Sequence, residues 1–163
     1  MPIERKAVLG ISIGTQLLGI GLLKNSMLED WCIKTFNTAW SKLKLRIMLL
    51  WIERYIERHS VQCIALKVPH PSRSSPALQQ LVKGIEQIAG KRNIPICHFT
   101  IEKLIYDCGV EGIRTKIALI ESLKTRYPEL VTVSKKQLQR RREYYMKVFE
   151  AIAASECCSR QNQ

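Results

Sequence analysis

Two residues sit where an apolar strand runs out, and both carry side chains able to do chemistry. Ser12 ends the run VLGIS, and Lys67 stands near the end of QCIALKV. If their strands are neighbours, a serine and a lysine side by side suggest a Ser-Lys dyad, with the amine drawing the proton from the hydroxyl. No pattern of oxyanion-binding donors accompanies them, which weighs against acyl transfer. The histidines, His59, His70 and His98, are scattered. Each reads as an ordinary surface or core histidine before it reads as a ligand. The six cysteines (Cys32, Cys63, Cys97, Cys108, Cys157 and Cys158) lack the paired spacing of a metal site. Cys32, Cys63 and Cys97 lie inside apolar strand-like runs, so buried reduced thiols in a cytoplasmic protein are expected. No phosphate-cradling GxxxxGK[ST] or dinucleotide fingerprint occurs.

The elements that must position Ser12 and Lys67 can be traced in order. Lys6 to Ile13 is β-branched and apolar, as a buried strand requires. Gly14-Thr15 turns the chain, and Leu17 to Lys24 returns as a second strand. Gly19 and Gly21 lie two apart and so share a face. Two missing side chains there invite close approach by a helix or a ligand. Asn25-Ser26 is a second turn signal, followed by a strand from Trp31 to Phe36. Ser41 caps a helix reaching about Arg58. Its stripe of Leu45, Met48, Leu49, Ile52, Tyr55 and Ile56 is widened by Leu43, Ile47, Leu50 and Trp51. Deep burial accounts for such width, and a partner subunit covering the excess is the alternative.

Gln62 to Val68 is a fourth strand. The loop PHPSRSSP, with three prolines, His70 and Arg73, is irregular. A helix over Ala77 to Lys91, a strand over Ile94 to Phe99 and a short helix over Ile101 to Cys108 follow. Glu111 to Arg126 is expected to be helical, with Ile113, Ile117, Ile120 and Leu123 on one side, and Pro128 ends it. Ser134 caps a last helix from Lys135 to about Ser155. Two hairpins followed by crossover helices predict a mixed sheet with helices on both faces, in one domain spanning 1–163.

Charge bounds the partners. The chain has 163 residues and a net charge of +12, from 26 basic and 14 acidic residues. Such an excess attracts phosphate backbones and anionic surfaces. The start of the last helix, SKKQLQRRREYYMK, holds six basic residues and one acid. Positive charge at a helix N-terminus opposes the macrodipole, so helix stability does not explain it. A solvated face is one reading. The other is a phosphate-contacting patch with Tyr144 and Tyr145 interleaved. No apolar run is long enough to predict a membrane span, and the glycine-broken run after Lys6 is no secretory leader.

The stretch VLGISIGTQLLGIGLL resembles the first hairpin of RuvC-like Holliday junction resolvases, in the ribonuclease H-like superfamily. That family's pattern is an apolar strand, Gly-Ile-Asp-Pro-Gly-Thr/Ser, then a Gly-x-Gly strand. Here the residues are Gly10, Ile11, Ser12, Ile13, Gly14 and Thr15, then Gly19 and Gly21. The order of elements fits along nearly the whole chain. The resemblance implies an α/β, ribonuclease H-like five-stranded mixed sheet. It also implies phosphodiester cleavage by two divalent metals held by about four carboxylates. Those carboxylates belong at the first strand, at the end of the fourth strand, and as a pair one turn apart on the last helix. Carried across, the first falls on Ser12 and the second on Lys67. The best register puts the final pair on Arg142 and Tyr145. Glu143 is one residue off as a fallback acid, and Glu150 lies about two turns further along.

An ammonium in place of a carboxylate turns attraction into repulsion. At about 4 Å and an effective dielectric of about 20, a unit pair is worth roughly 4 kcal/mol, and a divalent ion about doubles it. The expectation is a RuvC-like protein without metal or other cofactor, catalytically degenerate, binding duplex or branched DNA through a basic surface. Lys67, His70, Arg73, Lys135, Lys136, Arg140, Arg141, Arg142 and Tyr144 would make the contacts, with His70 or Tyr144 stacking on bases. By the same resemblance a homodimer would form through the helix Ser41 to Arg58. One alternative is an active Mg²⁺-dependent endonuclease using Glu143, Glu150 and Asp107 or Glu111. Another is an adaptor subunit acting through protein contacts.

Overall fold

The computed structural model describes residues 6–132 and 142–161, the side chains of residues 142–144 excepted. Five strands form one sheet in the order β3-β2-β1-β4-β5. They are β1 (Ala7–Ser12), β2 (Leu17–Lys24), β3 (Met27–Thr35), β4 (Cys63–Lys67) and β5 (Ile96–Phe99). The two hairpins pair antiparallel, whereas β4 runs parallel to both β1 and β5. Among the described residues the α-helices are α1 (Lys42–His59), α2 (Pro76–Lys91), α3 (Ile101–Cys108), α4 (Lys116–Arg126) and α5 (Arg142–Gln161). This is the expected mixed sheet with helices on both faces. Alternation along the strands divides the core in two. Leu9, Ile11, Leu18, Ile20, Leu22, Ile64 and Leu66 pack with α1 and α2. Val8, Leu23, Cys63 and Ala65 pack with α3, α4 and α5.

β3 begins at Met27, four residues earlier than the sequence pattern suggested. Asn25 and Ser26 both take left-handed backbone, with φ of 53° and 64°. That geometry makes a two-residue hairpin turn whose twist matches the flanking strands. Lys24 therefore pairs with Met27 directly. The polar residues Glu29 and Asp30 hid the start, because an edge strand need bury little.

α4 begins at Lys116 rather than Glu111. The Thr115 hydroxyl accepts from the Ala118 amide and caps the helix there. Ile113 and Ile117 are consequently exposed, and the buried side of α4 is Ala118, Leu119, Ile120 and Leu123. In α1 the cap at Ser41 is as expected, its hydroxyl accepting from the Lys44 amide. Deep burial of the wide stripe is not found. Met48, Ile52, Tyr55 and Ile56 face the sheet, while Leu43, Ile47 and Leu50 are 65%, 49% and 47% exposed. An apolar ridge thus runs along the outer side of α1. Among the described residues, no helix is long and apolar enough to cross a membrane.

The seating of α5 fixes everything that follows. A methyl on Gly10 would overlap the Ala151 carbonyl oxygen, and one on Gly19 would overlap that of Lys147. Gly21 lies against Ile152 in the same way. The helix backbone rests directly on β1 and β2, the close approach that paired strand glycines permit. Small residues on the helix, Ala151 and Ser155, complete the fit.

Candidate functional site at the carboxyl ends of β1 and β4

Ser12 closes β1 and Lys67 closes β4, and the two strands are parallel, so both side chains come out at the same edge of the sheet. They are direct register partners. In open α/β sheets this edge, beyond the carboxyl ends of parallel strands, is where ligands are usually met. The third member comes from α5. Ser12 Oγ donates to Oε2 of Glu150 at 2.7 Å, and Lys67 Nζ lies 3.1 Å from the same oxygen. Ser12 is fully buried, and the side chains of Lys67 and Glu150 are 15% and 6% exposed.

One turn before Glu150, Lys147 reaches across to the β1–β2 turn. Its Nζ donates to the Ile13 carbonyl at 2.8 Å, and its side chain lies over Gly14. The helix pair at the site is therefore Lys147 and Glu150, not the expected Arg142 and Tyr145. The register is displaced by five residues because the glycine track of β1 and β2 grips α5 at Lys147, Ala151 and Ile152. Sequence reasoning passed over Lys147, and weighed Glu150 only as a reserve acid. The signal that locates them is the small-residue step Ala151 to Ser155, which lies against Gly10 of β1.

These contacts decide what the group can do. Lys67 donates to a carboxylate, and an ammonium so engaged holds no lone pair for a serine proton. Ser12 already gives its proton to Glu150 and has no route to solvent. The Ser-Lys dyad is not supported by this geometry. A hard dication needs about six oxygen ligands, with carboxylates to balance its charge. Here one carboxylate is shared by a hydroxyl and an ammonium, with a second ammonium one turn away. This donor set does not fit Mg²⁺.

The alternative acids do not assemble either. Asp107 pairs with Lys103 at 3.3 Å on α3, and Glu111 is exposed in the following loop. Among the described residues no carboxylate group of three or more gathers at this edge. The Glu143 side chain lies outside the described set.

The other expected binding residues fall into two groups. His70 and Arg73 lie exposed in the loop after β4. His70 is engaged as the cap of the short turn Pro71–Arg73, its Nδ1 contacting the Ser72 amide at 3.2 Å and hydroxyl at 2.7 Å. Beside this loop is a groove of about 410 Å³ lined by Val68, Pro69, Pro71, Ser74, Gln79 and Lys83, among others. Lys135, Lys136, Arg140 and Arg141 lie outside the described residues, as do the side chains of Arg142 and Tyr144. Tyr145 is half-buried on α5.

The chain matches no family model and no curated protein. Solved structures do resemble it. The RuvC of T. thermophilus in complex with a Holliday junction substrate aligns with a TM-score of 0.74 and 14% identity, over 96% of this chain and 96% of that one. A second structure of Thermus thermophilus RuvC gives 0.70 and 13%, over 92% and 90%. Identity this low speaks for architecture alone, and along nearly its whole length this chain has the RuvC-type, ribonuclease H-like fold.

Proposed function

We propose that this protein binds nucleic acid, most readily duplex or branched DNA, and does not cut it. The observation that carries the reading is Lys67 on Glu150, an ammonium held 3.1 Å from the one carboxylate found at the strand ends among the described residues. In this reading Lys67 and Lys147 supply as fixed side chains the positive charge that divalent ions supply in metal nucleases. Such a pocket attracts a phosphodiester but provides no metal-activated water to attack it. The net charge of +12 supports the same conclusion over the wider surface. Arg73, His70 and the basic segment Lys135, Lys136, Arg140, Arg141 and Arg142, with Tyr144, extend the interface. A solved structure of the RuvC whose fold this chain shares is a complex with a Holliday junction substrate, which makes a four-way junction the first ligand to try.

The apolar ridge of Leu43, Ile47 and Leu50 supports a homodimer through α1, which would bring two pockets onto one branched substrate. Reduced thiols in this number suit the cytoplasm. The test is fluorescence anisotropy with a labelled four-way junction and a duplex, in EDTA and again in Mg²⁺. Binding should need no Mg²⁺, should fall steeply with salt, and should leave the strands intact on a denaturing gel. No affinity at low salt would refute the reading. So would Mg²⁺-dependent cleavage that Glu150→Gln abolishes.

A further inference from the structure

Three sulfur atoms from three separate elements meet on the α5 face of the sheet, at the end opposite Lys67. Cys63 opens β4, Cys97 lies on β5, and Cys158 comes from the last turns of α5. Their Sγ atoms all lie within 4.8 Å of one another. Cys63 and Cys158 are 3.1 Å apart, and Cys158 and Cys97 are 3.6 Å apart. Cys63 and Cys158 are buried, while Cys97 is partly exposed and opens the group to solvent. Their spacing along the chain hides them, because only the parallel pairing of β4 with β5 and the passage of α5 bring them together.

We propose that Cys63, Cys97 and Cys158 form a three-thiolate site for a soft, thiolate-seeking cation of the zinc class, its fourth position taken by water entering past Cys97. Geometry comes first. Metal–sulfur bonds of about 2.3 Å at tetrahedral angles set sulfur–sulfur edges of roughly 3.8 Å. The two shortest separations here are within about an ångström of that, so binding needs only small side-chain adjustment. Ligand type comes next, since sulfur donors select soft or borderline ions against Mg²⁺ and Ca²⁺.

Proton and charge balance are also met. Three S–H bonds break, three metal–sulfur bonds form, three protons leave to solvent, and no electron changes hands. The product carries one negative charge, in a protein of net charge +12. The second sulfur pair, Cys108 with Cys157, contains only two thiols and offers no comparable cage.

The site would act as a clamp. Cys158 follows Glu150 by eight residues, about 12 Å along the helix axis. An ion there would fasten the far end of α5 to β4 and β5, and so steady the helix that carries Lys147 and Glu150. The inference does not depend on the nucleic-acid reading.

The experiment is a Cd²⁺ titration of the reduced full chain, followed by sulfur-to-metal charge-transfer absorbance, with Zn²⁺ as competitor. The expected result is saturation at one equivalent and displacement by Zn²⁺. Cys97→Ser and Cys63→Ser should each weaken binding at least tenfold, and Cys32→Ser should not. Far-UV circular dichroism checks that each variant is folded, and Cys97→Ser, at the partly exposed position, remains readable if Cys63→Ser does not fold. Absence of a band saturating at one equivalent would overturn the proposal. So would a folded Cys97→Ser that titrates like the parent.

Discussion

Lys67→Met should be among the more damaging substitutions in this chain, although lysine at a strand end usually costs little to replace. The ammonium is 3.1 Å from Glu150 Oε2. At an effective dielectric of about 20, that separation corresponds to roughly 5 kcal/mol of gross attraction. Much of it offsets the desolvation of the two ions, so the pair itself is worth far less than this. Removing one partner is a different operation. Glu150 is 6% exposed and would keep a charge with only the Ser12 hydroxyl against it. Breaking such a buried pair costs about 3–5 kcal/mol, which for a chain of this size lowers Tm by roughly 6–20 °C.

Glu150→Gln should cost less, about 1–2 kcal/mol. The amide still accepts from Ser12, and Lys67, with 15% of its side chain exposed, can turn toward water. Lys67→Met combined with Glu150→Gln should cost about what Glu150→Gln costs alone, since no unpaired ion remains. The assay is urea unfolding of all four proteins at one pH and salt, with unchanged m-values. The expected coupling energy is about 3–5 kcal/mol, the whole cost of Lys67→Met in the parent. A coupling below about 0.5 kcal/mol would refute the claim that these two charges are committed to each other.

Three further outcomes are expected. Gly19→Ala should place a methyl on the Lys147 carbonyl, costing about 3 kcal/mol by overpacking and appearing as a lower thermal midpoint. Raising the pH from 9 to 11 should reduce stability, because burial first, then Asp30, pushes the Cys32 thiol up from 9.0 to about 11. In that window the folded state binds more protons than the unfolded state, so unfolding is favoured as pH rises; Cys32→Ala should flatten the chemical-denaturation profile there. Leu43→Glu with Ile47→Glu should convert the proposed dimer to a monomer by light scattering with little change in Tm, since both residues lie on the outer ridge of α1.

The sheet was legible because its signals are local. Alternation along β1 and β2, the glycine turn between them and the cap at Ser41 each depend on a few neighbouring residues. The neighbourhood of Ser12 and Lys67 was legible only as a possibility, and the parallel pairing of β1 with β4 supplies it. The edges failed where a stronger local device intervened. The left-handed pair Asn25-Ser26 started β3 early, and Thr115 capped α4 late. The register of α5 was not legible from its charges, because charge does not say which turn meets the sheet. Steric fit says it, through Gly10 and Gly19 against the helix backbone, and that is a contact across more than a hundred residues. The grouping of Cys63, Cys97 and Cys158 was hidden for the same reason.

The bare strand surface under α5 has a consequence for how this pocket can vary. Main chain touches main chain there, so the helix is aligned by parts common to every amino acid. Residues 12, 67, 147 and 150 can then exchange acid for base while the scaffold keeps its alignment. An architecture keyed in this way separates where a functional group stands from what that group is.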